Sequence, residues 1–196
     1  MSKIKTIYSL KELHDLIEKH EDKKRLMIFL DLDLTIIRGS DHNEEIDVLI
    51  EPEITKKLFS YIKHHQIYFS FVTARFHDTV CNKKKRNLKE IEENLYATIF
   101  PVLEELGLDL SYYKQKKLEN RFHLVENEKG RCVGLLFRGI FLGSRKGEII
   151  KHYRKEFGLD KSHPHTIFVD DHETYLKSVV KHVPDAIVLR REIKET

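Results

Sequence analysis

Short apolar runs alternate along the chain with segments whose apolar residues recur at helical spacing. The run LMIFL (26–30) has no apolar–polar alternation, which is typical of a strand buried on both faces of a parallel sheet. Further runs of this kind are IYFSFVT (67–73), RCVGLLFRGIFLG (131–143), HTIFVD (165–170) and AIVLR (186–190). Because helical patterns separate most of these runs, the sequence predicts an α/β fold with a mainly parallel sheet.

The expected helices begin at recognisable start signals. Ser9 and Glu12 have the spacing of a capping box, which predicts a helix over 9–21. Pro52 favours the first position of a second helix. Other segments with helical spacing are 78–106, read as one long or broken stretch, 145–157 with Ser144 as its cap, and 173–183.

Two segments predict hairpins. The polar, glycine-punctuated residues between apolar pieces at 37–50 indicate a hairpin-like flap. Residues 108–132 predict a loop and one strand of a hairpin that turns at 127–130, and the run 131–143 then reads as a single strand. We expect one domain over 1–196, with at most a small helical or mixed insertion at 76–132.

Composition narrows the class of protein. The chain has 196 residues, of which 40% are hydrophobic and 34% charged, enough apolar material for a core and too much charge for a membrane protein. The start lacks a secretory signal, which favours the cytoplasm, although export as a bacterial effector is not readable from sequence. The net charge of +3 suits an anionic substrate without demanding nucleic acid. Cys81 and Cys132 are expected to be reduced thiols.

Two carboxylates at the end of the first buried run are the strongest chemical signal. Asp31 and Asp33, in DLDLT, would repel each other and pay a desolvation penalty if unpaired. Mg²⁺ relieves that cost because it prefers oxygen ligands. We therefore expect Asp31 to attack phosphorus as a nucleophile and Asp33 to act as general acid and base.

Further polar groups follow other predicted elements. Thr73, at a strand end, can donate a hydrogen bond to a phosphoryl oxygen, and Lys146, in a first helical turn, can neutralise phosphate charge. Asp170 and Asp171 would complete the magnesium site. Each residue also has a structural alternative: aspartates cap helices and form turns, a strand-end threonine is commonly structural, and most lysines are solvated.

Together these pieces resemble the four motifs of the haloacid dehalogenase (HAD) superfamily of phosphohydrolases. LMIFLDLDLT resembles the first motif, SFVTAR the second, Lys146 in GSRKGE the third, and IFVDDHE the fourth, over about 25–190. The resemblance implies a Rossmann-like sheet. It also implies Mg²⁺ binding by the side chains of Asp31 and Asp170 and by the backbone carbonyl of Asp33, with Asp171 acting directly or through water. Within the family, an acid at position 33 favours phosphatase or phosphotransferase chemistry over that of the dehalogenases.

The roles of two residues next to these motif positions remain open. Arg75 and His172 are expected either to hold the site carboxylates or to touch substrate, and a purely structural role is an equal alternative. The twelve histidines lack matching cysteine or aspartate ligands, so a zinc site is not expected.

The size of the cap is the one feature that limits the range of possible substrates. Members of the HAD superfamily often select their substrates with an inserted cap, and this chain has room for a small cap at most. An open site suits a phosphate on a large molecule, so we expect a phosphoprotein, with phosphotyrosine or phosphoserine, or another accessible phosphomonoester. Two alternatives stay open: a nucleic-acid end or nucleotide phosphatase, and a non-catalytic binding protein with this fold.

Overall fold

The computed structural model describes residues 4–38, 48–107, 117 and 121–193. The strands are β1 (Lys5–Ile7), β2 (Leu26–Leu30), β3 (Ile37–Arg38), β4 (Val48–Leu49), β5 (Tyr68–Thr73), β6 (Phe122–Glu126), β7 (Cys132–Phe137), β8 (Ile140–Leu142), β9 (His165–Asp170) and β10 (Ile187–Arg191). The helices are α1 (Leu10–Glu18), α2 (Pro52–His64), α3 (Leu88–Thr98), α4 (Phe100–Glu104), α5 (Lys146–Glu156), α6 (Leu159–Ser162) and α7 (Glu173–His182).

The main sheet of the described residues has the strand order β1-β10-β9-β2-β5-β8-β7-β6. The strands from β1 to β8 in that order pair in parallel, whereas β7 and β6 continue the sheet in antiparallel fashion. The predicted α/β architecture with a mainly parallel sheet flanked by helices is therefore confirmed, and it is compatible with a Rossmann-like fold.

Strand β2 divides the core into two layers. All five of its residues are buried. Leu26, Ile28 and Leu30 pack in the cluster that contains apolar residues of α1 to α4, whereas Met27 and Phe29 pack in the cluster that contains those of α5 and α7. Burial on both faces explains why this strand reads as a continuous apolar run.

The expected hairpin-like flap begins and ends as a strand pair. In β3 and β4, Ile37 lies opposite Leu49 and Arg38 opposite Val48. Residues 39–47, which would join them, lie outside the described residues. The turn at 127–130 is confirmed, since the Gly130 N–H donates to the Asn127 carbonyl at 2.8 Å between β6 and β7.

The run 131–143 is not a single strand. It folds back on itself as β7 and β8, and the two residues between them, Arg138 and Gly139, have φ of 52° and 82°. A two-residue turn with positive φ at both positions matches the twist of paired strands. The apolar residues on both sides of Arg138 and Gly139 concealed this turn, because both strands are largely buried.

The helical stretch expected over 78–106 starts later than predicted. Residues 74–87 form turns and loops, and α3 begins only after Asn87, whose side chain accepts a hydrogen bond from the Glu90 N–H at 3.3 Å. The stretch is broken rather than continuous: α3 ends at Thr98 and α4 begins at Phe100, with Pro101 in its first turn. The described part of 76–132 ends in a hairpin that extends the main sheet.

Two smaller expectations were wrong. Ser144 does not cap α5: the residue before the helix is Arg145, whose side chain makes no capping hydrogen bond. Cys81 and Cys132 are not separate thiols but form a disulfide, with Cα atoms 5.4 Å apart. Their separation of 51 residues gave no pairing signal, and only the placement of β7 near the turns after β5 brings them together.

Glu51 connects three distant segments. It precedes α2 with a left-handed backbone, at φ 49°. Its carboxylate accepts hydrogen bonds from the Ser9 hydroxyl at 2.6 Å, the Leu10 N–H at 2.9 Å and the Arg191 guanidinium at 3.0 Å. The start of α1, the start of α2 and the end of β10 are therefore held to one side chain.

The helices of the described part of the chain include none that is long and apolar enough to cross a membrane.

Candidate active site

The fold brings the predicted site residues to one edge of the sheet. Asp31 and Asp33 follow β2, Thr73 ends β5 and Asp170 ends β9. Strand β2 pairs with β5 on one side and with β9 on the other, so the carboxyl ends of these three parallel strands are neighbours. In open α/β sheets, ligands bind beyond these ends, where the chain changes direction across the sheet.

Three buried side chains form the centre of the site. The Lys146 Nζ donates hydrogen bonds to Asp31 Oδ1 at 2.5 Å and to Asp170 Oδ2 at 2.7 Å. The exposed fractions of these residues are 1% for Lys146, 3% for Asp31 and 0% for Asp170. Lys146 is the first residue of α5, so the start of this helix places its ammonium between two strand ends.

Asp171 adds a third carboxylate to this centre. One oxygen from each of Asp31, Asp170 and Asp171 lies within 4.8 Å of the others. Three carboxylates and the single ammonium of Lys146 leave a formal charge of −2 when all are ionised. A small divalent cation with oxygen ligands, such as Mg²⁺, fits this donor set in both charge and chemistry.

Burial dominates the electrostatics of the centre. It raises the pKa of Asp31 well above its ordinary value, against the opposing effect of Lys146, and also raises the pKa of Asp170 and of Asp171. For Lys146, burial lowers the pKa, but the carboxylates of Asp31 and Asp170 outweigh it and the net shift is upward. Lys146 therefore stays protonated, and bound positive charge would favour the ionised carboxylates.

Asp33 belongs to a second, more exposed group. Its carboxylate accepts hydrogen bonds from Arg75 Nε at 3.1 Å, from Arg75 Nη2 at 2.5 Å and from the Thr73 hydroxyl at 3.1 Å. Its side chain is 40% exposed. Of the three roles left open for Arg75, the geometry supports the first, because the guanidinium holds the Asp33 carboxylate. The Thr73 hydroxyl, expected on a phosphoryl oxygen, is here bonded to Asp33.

His172 contributes through its backbone. Its N–H donates to Asp170 Oδ1 at 2.8 Å, whereas its Nδ1 accepts from the Thr174 N–H at 3.3 Å and so caps α7. The main chain of His172 thus orients a carboxylate of the centre, and its imidazole serves the helix start.

Two residues at the centre were not singled out from the sequence. The Tyr175 ring lies 4.4 Å from the Lys146 Nζ, measured to its centroid, and the Thr35 hydroxyl lies 3.5 Å from Asp31 Oδ2. Thr35 belongs to DLDLT, so its position signalled it. Tyr175 had no such signal, because only the packing of α7 beside α5 places its ring over the ammonium.

A second group of possible metal ligands lies on α1. It consists of His14, Asp15 and Glu18, beside a cavity of about 600 Å³ between α1 and α2. Lys11 binds Asp15 at 2.9 Å, and Asp15 and Glu18 are not buried. This group lacks the buried, convergent carboxylates of the strand-end centre, so we assign the candidate active site to the latter.

Comparison of the chain with family models, with curated proteins and with solved structures finds no match in any of the three.

Proposed function

We propose that this protein is a Mg²⁺-dependent phosphohydrolase of the HAD type, acting through an aspartyl-phosphate on Asp31. One observation carries the proposal: the Lys146 ammonium bridges Asp31 and Asp170, and Asp171 completes a cluster of carboxylates within 4.8 Å. Asp31 and Asp170 are 139 positions apart in the chain, and the fold alone brings them together.

Asp31 is placed to act as a nucleophile. Its main-chain N–H donates to the Val169 carbonyl at 2.9 Å, which fixes the residue against β9. Lys146 occupies Oδ1, while among the described residues Oδ2 has only the 3.5 Å contact with the Thr35 hydroxyl. A carboxylate oxygen attacks phosphorus as the bond to the leaving oxygen breaks, and the Lys146 ammonium offsets charge on the phosphoryl group.

Asp33 would act as the general acid and base. In the first half of the reaction it donates a proton to the leaving oxygen. In the second half it accepts a proton from water, whose oxygen attacks the aspartyl-phosphate and releases inorganic phosphate. Arg75 and Thr73 orient the carboxylate for both halves, and its 40% exposed side chain lies within reach of water.

Asp31, Asp170 and Asp171 are the side chains that would hold Mg²⁺. When bound, the ion supplies positive charge that stabilises phosphoryl oxygens in the transition state. The Asp170 carboxylate is oriented for this role by the His172 N–H and by Lys146.

The proposed substrates are accessible phosphomonoesters, with phosphotyrosine or phosphoserine of a phosphoprotein first among them. Two observations support this substrate class. The side chain of Asp33 is 40% exposed, and the described part of 76–132 extends the sheet with a hairpin at its β6 edge. A phosphate attached to a large molecule can reach such a site.

The test is phosphate release from phenyl phosphate by the wild-type protein, with Mg²⁺ and with excess chelator. We expect turnover that requires Mg²⁺ and is lost in Asp31→Asn. Asp22→Asn is the matched control, because Asp22 is exposed and precedes the opposite end of β2. Turnover that survives chelation, or that persists in Asp31→Asn, contradicts the proposal.

The substrate class has its own comparison. Phosphotyrosine and phosphoserine peptides, phosphorylated oligonucleotides and mononucleotides are offered at the same concentration and over a range of salt. Preference for the peptides supports the proposed class. Preference for oligonucleotides with a steep loss of activity in salt points instead to a nucleic-acid end phosphatase. No release from any of them leaves the non-catalytic alternative.

A further inference from the structure

A cavity of about 320 Å³ adjoins the candidate active site. Asp171 forms part of its wall, and so does Leu34, the residue after Asp33. The cavity wall therefore includes a proposed metal ligand and the neighbour of the proposed general acid.

Three arginines converge on this cavity from two parts of the fold. Arg38 lies in β3, whereas Arg190 and Arg191 end β10. Arg190 faces Glu192 at 3.2 Å, and Arg191 binds Glu51 at 3.0 Å. Within the described ranges, the side chain of Arg38 has neither a hydrogen bond nor an ion pair, although its backbone pairs with that of Val48. Of these three arginines, Arg38 is thus the one whose charge no carboxylate of the described residues neutralises.

Arg191 is a buried, hydrogen-bonded part of the cavity wall. Its side chain is 2% exposed, and its Nη1 and Nη2 are bonded to the Glu192 carbonyl and to Glu51. Its buried Nε has no hydrogen-bond partner in the described part of the chain. A buried N–H without a partner is costly, so the fold holds this part of the wall in place against a local penalty.

Leu34 supplies an apolar surface to the same cavity. It is 48% exposed, and its φ of 57° is uncommon for a residue with a side chain. The Leu34 N–H donates to the Ile37 carbonyl at 2.8 Å, which holds this conformation. An exposed leucine held in a strained backbone beside a catalytic position is a candidate ligand contact.

We propose that this cavity receives the leaving-group part of the substrate, and that this part carries a second anionic group bound by Arg38 and Arg190. The inference rests on the proposed function. For Asp33 to protonate the leaving oxygen, the rest of that group must lie beside residue 33, and Leu34 leads from there into the cavity. The substrate class is thus a phosphomonoester with a carboxylate, or a second phosphate, on an apolar body.

The experiment compares phenyl phosphate with 4-carboxyphenyl phosphate, two esters that differ by one carboxylate. The readout is the ratio of their kcat/KM values at low ionic strength, measured by phosphate release. We expect the wild-type protein to favour the carboxylate-bearing ester about tenfold, the effect of one charge-assisted contact, and to lose the preference as salt is added.

Arg38→Gln and the double variant Arg38→Gln/Arg190→Gln are expected to reduce this ratio, the double variant to about one. Arg25→Gln is the matched control: Arg25 is 53% exposed before the opposite end of β2, and its ratio should equal the wild-type value. Arg38→Gln changes an exposed side chain, so it tests the inference even if the double variant does not fold.

The outcomes separate the inference from the proposed function. Turnover of both esters with equal kcat/KM in the wild-type protein overturns the inference alone. A preference that survives in Arg38→Gln and in the double variant also overturns it. No turnover of either ester overturns the proposed function and this inference with it. A further comparison at equal concentration uses 4-carboxyphenyl phosphate and 1,4-phenylene bisphosphate. It distinguishes a carboxylate from a phosphate as the second anion.

Discussion

Gly147 lies directly against the main chain of Ser178. A Cβ built on Gly147 would be 2.3 Å from the Ser178 carbonyl oxygen and 2.6 Å from its carbonyl carbon. Backbone atoms in a helix interior cannot move aside as a flexible side chain can. The absence of a side chain at position 147 therefore sets how closely α5 approaches α7, and with it the position of Lys146.

Gly147→Ala is expected to destabilise the protein by about 1–3 kcal/mol, because it overpacks a helix contact. It should also lower phosphate release by displacing Lys146. Thermal unfolding and turnover of phenyl phosphate measure the two effects. Gly130→Ala is the control for turnover: its Cβ meets nothing within 4 Å, and its φ of 67° confines the cost to backbone strain, so it should lose stability without losing phosphate release. A Gly147→Ala protein with wild-type stability and activity contradicts the close approach.

Mg²⁺ is expected to raise the melting temperature of the wild-type protein. A ligand present at about a hundredfold excess over its Kd stabilises the folded state by about 2.7 kcal/mol, which is roughly 5–10 °C for a chain of this size. Asp170→Asn should lose this shift, because Asp170 is a buried member of the carboxylate cluster. Asp160→Asn, at an exposed position on α6, should keep it. An equal shift in Asp170→Asn would place the ion elsewhere.

Lys146→Met keeps the length of the side chain and removes its charge. We expect kcat to fall by about 10²–10³, the effect of losing one charge aimed at the transition state. Without metal the variant should also be less stable, because two buried carboxylates lose their cation. Lys177→Met, at a side chain 68% exposed and paired with Glu173, is the control and should match wild type. Wild-type turnover in Lys146→Met removes this residue from the site.

Arg75→Met tests whether Asp33 must be held in place. The guanidinium makes three hydrogen-bond contacts to the Asp33 carboxylate, so its loss should reduce kcat about 10–100-fold. Arg75→Lys should recover part of the rate, because an ammonium can form one of these bonds. The Mg²⁺-induced shift in melting temperature should remain, since Arg75 is outside the carboxylate cluster. Equal loss in the methionine and lysine variants, with loss of that shift, would indicate a structural role instead.

The Cys81–Cys132 disulfide predicts a redox-dependent stability. In the chain-entropy account, closing a loop of 51 residues lowers the entropy of the unfolded chain and so stabilises the folded protein by about 4 kcal/mol. Reductant should therefore lower the melting temperature of the wild-type protein and leave that of Cys81→Ala/Cys132→Ala unchanged. Thiol titration of the unreduced, denatured protein should find no free cysteine. Two titratable thiols would show that the pair is reduced.

Much of the sheet and nearly all of the proposed centre follow from local patterns. A strand buried on both faces is a continuous apolar run, and polar residues at the ends of such runs meet at one sheet edge. That reasoning alone placed Asp31, Asp170 and Asp171 together. It also placed Lys146 at a helix start, although the cap residue itself was misassigned to Ser144.

The features that escaped prediction depend on contacts between distant segments. Arg138 is not a residue that signals a tight turn, so the hairpin of β7 and β8 looked like one strand. The disulfide required knowledge of the strand order. Strand β1 is three residues long, too short for a pattern, and is defined by its pairing with β10. The cavity lined by Arg38 and Arg190 joins two segments that no local signal relates.

The carboxylate of Glu51 couples the start of α1, the start of α2 and the end of β10. It is shared by the first turn of α1 and by Arg191, and it belongs to the residue that starts α2. Displacement of Glu51 would remove an acceptor from both other segments at once, whereas fraying of α1 would remove two donors from the carboxylate that Arg191 also binds. Because Arg191 also forms part of the wall beside Asp171, loosening of the N-terminal helix would be transmitted to the place where we expect the substrate to rest.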